Sequence, residues 1–162
     1  MKYTNSIEIS IPRTEVVRLL SDPTLRPQWL RGLVLHEPLS GSDGQPGTTS
    51  RVVFQTGKQT MECTETITRR EPDTLDEIST ETDVLFERKI VADGMESVTL
   101  DRLYESSPSR TIWTSDEEYR FTGAMKLLAS VMRSSFTKQS RRHLQDFKAF
   151  AEHGIDVRDT KD

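Results

Sequence analysis

The chain has 162 residues, enough for one domain around a single core. Charged residues make up 30% and hydrophobic ones only 33%, too polar for a membrane protein or for a sheet buried on both faces. The net charge of −4 and pI of about 5.5 argue against nucleic acid as a partner for the whole domain, and a single cysteine, Cys63, excludes an intrachain disulfide and a multi-thiolate metal site. No stretch reaches the ~20 apolar residues of a membrane span, and residues 1–6 lack the apolar run of a secretion signal. A soluble, cytoplasmic domain without integral membrane association is expected, monomeric or homodimeric.

The first segment, Lys2 to Ser10, alternates, with Tyr3, Asn5, Ile7 and Ile9 on one side, as a half-buried strand does. Pro12 marks a helix start, Val16, Val17, Leu19 and Leu20 give that helix an apolar stripe, and Asp22-Pro23 stops it. A short helix from Leu25 to Leu30 carries Trp29 and ends at Gly32. From Leu33 to Phe121 the signals are strand and turn. Strands are expected at 33–39, 48–56 and 59–70, with a tight hairpin at Gly57-Lys58. In the third of these, Met61, Cys63, Glu65 and Ile67 share a face. Residues 75–91 read as extended, in one long bulged strand or two short ones breaking near Asp83. Asp93-Gly94 then turns the chain between strands, and further strands are expected at 95–105 and 111–121. After Gly123 apolar residues recur at three- and four-residue steps as far as Gly154, which defines a helix of roughly 45 Å at 1.5 Å per residue. The eight residues beyond are polar and expected to fray, leaving one domain over 1–154 and a tail over 155–162.

This order implies an α+β architecture. An antiparallel sheet of six to seven strands curves around the long terminal helix, with two short helices after the first strand. A curved sheet gripping a helix leaves space between them.

The chain resembles the START-like, polyketide cyclase/dehydrase-type superfamily with the helix-grip fold (SRPBCC) over about residues 3–153. The carriers are Ile7-Glu8-Ile9-Ser10-Ile11-Pro12 followed by Glu15-Val16-Val17-Arg18-Leu19-Leu20-Ser21-Asp22-Pro23, then Arg26-Pro27-Gln28-Trp29. The end of the chain is the strongest part: Thr111-Ile112-Trp113, Glu118-Tyr119-Arg120-Phe121-Thr122-Gly123, and a helix with Met132, Phe136 and Leu144-Gln145-Asp146-Phe147-Lys148-Ala149-Phe150. The resemblance implies a cavity for a hydrophobic ligand. It does not decide catalysis, because members include carriers, hormone-binding proteins, aromatic cyclases and chaperone-ATPase activators.

If Trp113 points inward, so do Ser115, Glu117, Tyr119 and Phe121, while inward Met61 and Ile67 bring Cys63 and Glu65 with them. Glu117 and Glu65 are therefore the candidate catalytic carboxylates, since a carboxylate in an apolar cavity is poised for acid–base work. The competing expectation is that each lies near a strand end, solvated or paired with an arginine such as Arg51 or Arg102. Trp29, Met61, Cys63, Trp113, Ser115, Tyr119, Met125, Leu128, Met132 and Phe136 are the candidate ligand-binding residues, aromatic and soft apolar side chains with few polar anchors. For all of them, plain core packing is the alternative.

His36, His143 and His153 lack metal-ligand spacing, and no GxSxG, GxGxxG or Walker-type sequence occurs, so neither metal nor cofactor is expected. Residues 124–153 carry six basic and two acidic side chains, which leaves the rest of the chain at −8. That basic helix is either a solvated face, a peripheral contact for an anionic membrane, or a protein-docking surface. Three functions follow: binding of a small hydrophobic or amphipathic molecule (lipid, quinone, polyketide or aromatic), a cyclase/dehydratase-type enzyme, and an interaction module without ligand.

Overall fold

A computed structural model describes residues 1–74, 77–79 and 81–160, and every side chain in them except those of residues 128–130. The elements follow the sequence closely: β1 (Lys2–Ile9), α1 (Arg13–Ser21), α2 (Arg26–Trp29), β2 (Leu33–Ser40), β3 (Thr49–Thr56), β4 (Gln59–Glu71), β5 (Val84–Ala92), β6 (Met95–Ser107), β7 (Arg110–Phe121) and α3 (Met125–His153). Seven strands form one antiparallel sheet in the order β1-β7-β6-β5-β4-β3-β2. Adjacent hairpins build six of the seven strands. The seventh, β1, closes the sheet against β7 with Tyr3 opposite Glu117 and Ile7 opposite Trp113.

The long helix α3 packs on β1 and β7 and meets α2 near its far end. It stops at Gly154, whose φ of 67° lets its N–H turn back to the Phe150 carbonyl. One end of the sheet–helix sandwich is a packed core of Ile9, Val16, Val17, Leu19, Trp29, Val84, Leu103, Trp113, Leu144 and Phe147. The rings of Trp29 and Trp113 both meet Phe147 edge-on, at 5.1 and 5.2 Å between centroids. Helices α1 and α2 cap this end.

Two expectations are corrected. Residues 77–79 and 81–83 are not strand, and β5 starts only at Val84; Leu75, Asp76 and Thr80 lie outside the described residues. This segment is tied down by buried Arg13, which donates to the carbonyls of Ser79, Thr82 (2.8 Å) and Leu103. Nor do the residues after Gly154 fray up to 160. Val157–Asp159 form a 3-10 turn, Val157 is buried, and Thr160 Oγ1 accepts from Arg31.

Candidate functional site

Antiparallel register decides which side chains share the inner face. One row across the sheet holds Ile67, Arg88, Thr99, Glu117 and Tyr3, and the next holds Arg70, Phe86, Asp101, Ser115 and Asn5. A bulge between Ile67 and Arg69 shifts the phase of β4, which is why Arg70 rather than Arg69 is buried. The inner face is therefore largely polar, with short side chains at Ser97, Thr99, Asp101 and Ser115 in its middle. Ser97, Thr99 and Ser115 are buried, their hydroxyls have no hydrogen-bond partner among the described residues, and yet none of the three is sealed off. Short side chains on the concave side of a sheet leave room beneath a helix.

Arg88 stands among these short side chains. Its backbone lies mid-sheet, paired with Ile67 and Thr99, and 36% of its side chain is accessible. Its Nη1 donates to Asp101 Oδ2 at 2.9 Å, and its Nε lies 3.8 Å from Glu65. Asp101 also accepts from Trp113 Nε1 at 2.8 Å. On the other side, Glu65 Oε1 lies 3.0 Å from His36 Nε2, and Arg26, paired with Asp43, rests against the same imidazole. A continuous polar chain thus crosses the inner face from β2 to β7. Burial alone would raise the Glu65 carboxyl, but the His36 hydrogen bond and the charges of Arg88, His36 and Arg26 hold it below the usual carboxylate range.

Glu117 forms a second focus. Its Oε2 accepts from Tyr119 at 2.7 Å, Ser140 of α3 at 2.8 Å and Tyr3 at 3.1 Å, while Oε1 has no partner among the described residues. Burial, with the negative charge of Glu117, pushes Tyr119 far above the ordinary phenol range. Tyr3 rises to about 12, chiefly by burial, so both stay protonated donors. Phe136 covers Tyr119 and Phe121 at 4.9 and 5.6 Å. Burial pushes His143, on the inner side of α3, down to about 4 despite Asp146, with Arg88, Arg31 and Arg142 adding to the shift.

The structure brings together Glu117, Glu65, Ser115, Tyr119 and Phe136 on the inner face, with Met125 and Met132 half-buried on α3. Cys63 is buried one row from Glu65, and burial pushes its thiol up to about 11, well away from a nucleophile. Met61, 40% exposed, stands at the rim. Trp29 and Trp113 belong to the packed core instead of an open wall, and the Leu128 side chain lies outside the described residues. Glu65 does meet an arginine, Arg88, whereas Arg51 binds Glu62 and Arg102 binds Asp116. Sequence reading missed Arg88, Asp101, His36, Ser140 and His143 as members of this interior.

Two depressions open at the surface. One, of about 480 Å³, is bordered by Lys2, Thr4, Val98, Leu100, Asp116 and Glu118 on the outer face and also touches Tyr3 and Glu117 of the second focus; Lys2 and Glu118 pair at 3.0 Å beside it. The other, of about 150 Å³, lies beside Val84, Leu85, Leu103 and Tyr104. Among the described residues no group of three or more His, Cys, Asp or Glu could hold a metal ion, and no helix is long and apolar enough to cross a membrane.

A curved seven-stranded sheet closed by its C-terminal helix, with two short helices after the first strand, defines a helix-grip protein. The chain belongs to the polyketide cyclase / dehydrase and lipid transport family, whose model matches residues 1–152. No curated protein matches it in sequence. Solved structures share its fold at low identity. TTHA0849 from Thermus thermophilus is 14% identical with a TM-score of 0.73, covering 93% of this chain and 97% of its own. The Zhui aromatase/cyclase from Streptomyces sp. R1128 is 13% identical with a TM-score of 0.71, covering 99% of both. A Thalictrum norcoclaurine synthase point mutant with a transition-state analogue is 15% identical with a TM-score of 0.65, covering 93% of both. At these identities the likeness establishes the fold alone.

Proposed function

We propose that this protein binds one small amphipathic molecule in the hollow between the inner face of the sheet and α3. The observation that carries the reading is the polar middle of the inner face, where Arg88, one-third accessible, stands beside Ser97, Thr99 and Ser115, whose hydroxyls have no partners among the described residues. Phe136, Tyr119, Met125 and Met132 supply apolar walls, and Glu117 and Ser115 fix the polar end, the usual anatomy of a small-molecule pocket. Titrating the neutral fluorophore N-phenyl-1-naphthylamine into the protein tests this. Saturable 1:1 binding is expected, weakened at least about tenfold when Thr99→Phe fills the floor. Absence of saturable binding overturns the reading.

A second reading is a cyclase/dehydratase-type enzyme with Glu117 as acid or base. It is favoured by one observation: three hydroxyls orient Oε2 and leave Oε1 open to a substrate proton. It requires Glu117→Gln to abolish turnover while binding persists.

The same ligand reading extends to a peripheral contact with an anionic membrane. Lys126, Arg133, Lys138 and Arg141 are exposed on the first two-thirds of α3, where Leu127 and Val131 are 82% and 78% exposed. Flotation with vesicles containing phosphatidylserine, lost on Leu127→Ser with Val131→Ser, checks it; equal flotation with purely zwitterionic vesicles contradicts it.

A further inference from the structure

Helix α3 carries a large polar side chain that the polar chain across the sheet does not use. His143 stands three residues after Ser140 and four before Phe147, so it shares the inner side of α3 with both. There Ser140 is tied to Glu117 at 2.8 Å, and Phe147 is sealed between two indoles. The helix rests on β1, β7 and α2. His143 looks past them toward β5, where Arg88 is near enough for its charge to act on the ring.

Other large polar side chains of this interior have partners. Arg88 donates to Asp101 and lies by Glu65, while Asp43 holds Arg26 and Asp146 binds Arg31. Arg70 donates to the Gly44 carbonyl at 3.0 Å and lies over the Phe86 ring. His143 is half-buried, yet neither ring nitrogen has a hydrogen-bond partner among the described residues, and neither is sealed from contact. Polar groups in a folded interior are normally paired, because an unmet donor or acceptor there costs free energy. Burial and the guanidiniums of Arg88, Arg31 and Arg142 keep the ring uncharged at pH 7 against the pull of Asp146, so one nitrogen donates and the other accepts. Across the hollow, next to Arg88 in register, the Thr99 hydroxyl also has no partner among the described residues and is not sealed off. Helix and sheet thus both turn unpaired polar groups toward the space around Arg88.

We infer that His143 is a specificity-determining contact, which completes the polar end of the hollow from the helix side by hydrogen-bonding an oxygen of the ligand. This rests on the ligand-binding reading above and goes beyond it by assigning a residue on α3. Displacement of bound N-phenyl-1-naphthylamine by 2-naphthol and by 2-methylnaphthalene tests it at pH 7, since the two competitors differ only in a hydroxyl against a methyl group. His143→Phe keeps a ring and removes its hydrogen bonding. It is expected to lower the naphthol-to-methylnaphthalene affinity ratio about threefold or more, a ratio in which altered packing cancels. Nitrogen NMR on the native full chain needs no variant: 2-naphthol is expected to shift the His143 ring nitrogen resonances, and 2-methylnaphthalene to leave them in place. A histidine with a purely structural role would give no such difference. A smaller fall in the ratio, or ring nitrogens that respond alike to both probes, overturns the contact and leaves the ligand-binding reading standing. If neither probe binds the native chain, both fall.

Discussion

Phe147 is fully buried between two indoles, and the packed end of the sandwich is built around it. Phe147→Ala removes both edge-on contacts and is expected to cost about 3–5 kcal/mol, read as a lowered urea midpoint. Asp101 is the polar counterpart. It is buried and bonds both Arg88 and Trp113, so Asp101→Ala leaves two donors unsatisfied and should cost about 1–3 kcal/mol, with a shift in Trp113 fluorescence as the local signature. Some of this interior was legible residue by residue. Alternation from Trp113 leads to Ser115, Glu117 and Tyr119, and alternation in the first strand already groups Tyr3 and Asn5 with Ile7 and Ile9. Arg88, Asp101 and His36 were not legible. A charged residue on a strand reads as outward-facing unless something fixes the phase, and in β6 the usual pattern is inverted: Ser97, Thr99 and Asp101 point in, while Val98 and Leu100 point out. Hydrophobic pattern alone would turn that strand over.

At the scale of elements, turn chemistry was the dependable guide. Gly57-Lys58, Asp93-Gly94 and Gly154 end or turn elements where the sequence says they should. Gly32 does more than end α2. Its φ is 80°, and a Cβ there would lie 2.7 Å from the Gln55 carbonyl oxygen, on the backbone of β3. Gly32→Ala should therefore destabilise by more than about 1 kcal/mol, seen as a drop of several degrees in Tm, because neither the dihedral nor the neighbouring backbone can give. What sequence misjudged lay between β4 and β5. There the acceptors for Arg13 are backbone carbonyls, so no residue type signals that an irregular segment is held in place. The bulge after Ile67 is likewise invisible in composition, though it decides that Arg70 is buried.

Across the whole molecule, the inner charges couple stability to pH. His143 is held down to about 4 when folded, against its ordinary 6.5 in the unfolded chain. The unfolded chain therefore binds more protons between those values, and stability falls as pH drops from about 6.5 toward 4. Glu65, lowered on folding, adds a loss in the same direction below its ordinary 4.5. Urea midpoints measured across about pH 7 to 4 should decline over this window, and His143→Gln should flatten its upper part; an unchanged profile in the variant contradicts that assignment. The long helix and the sheet order were readable from periodicity over many residues. The polar floor was not, because it depends on register between strands far apart in sequence.

The central claim is that the ligand lies inside, under α3, and not in the larger depression on the outer face. Intermolecular nuclear Overhauser effects from bound 2-naphthol measure this directly. The ligand protons should meet Thr99, Tyr119, Phe136 and Met132; effects confined to Val98, Leu100 and Thr4 would put the ligand on the outside and contradict the account.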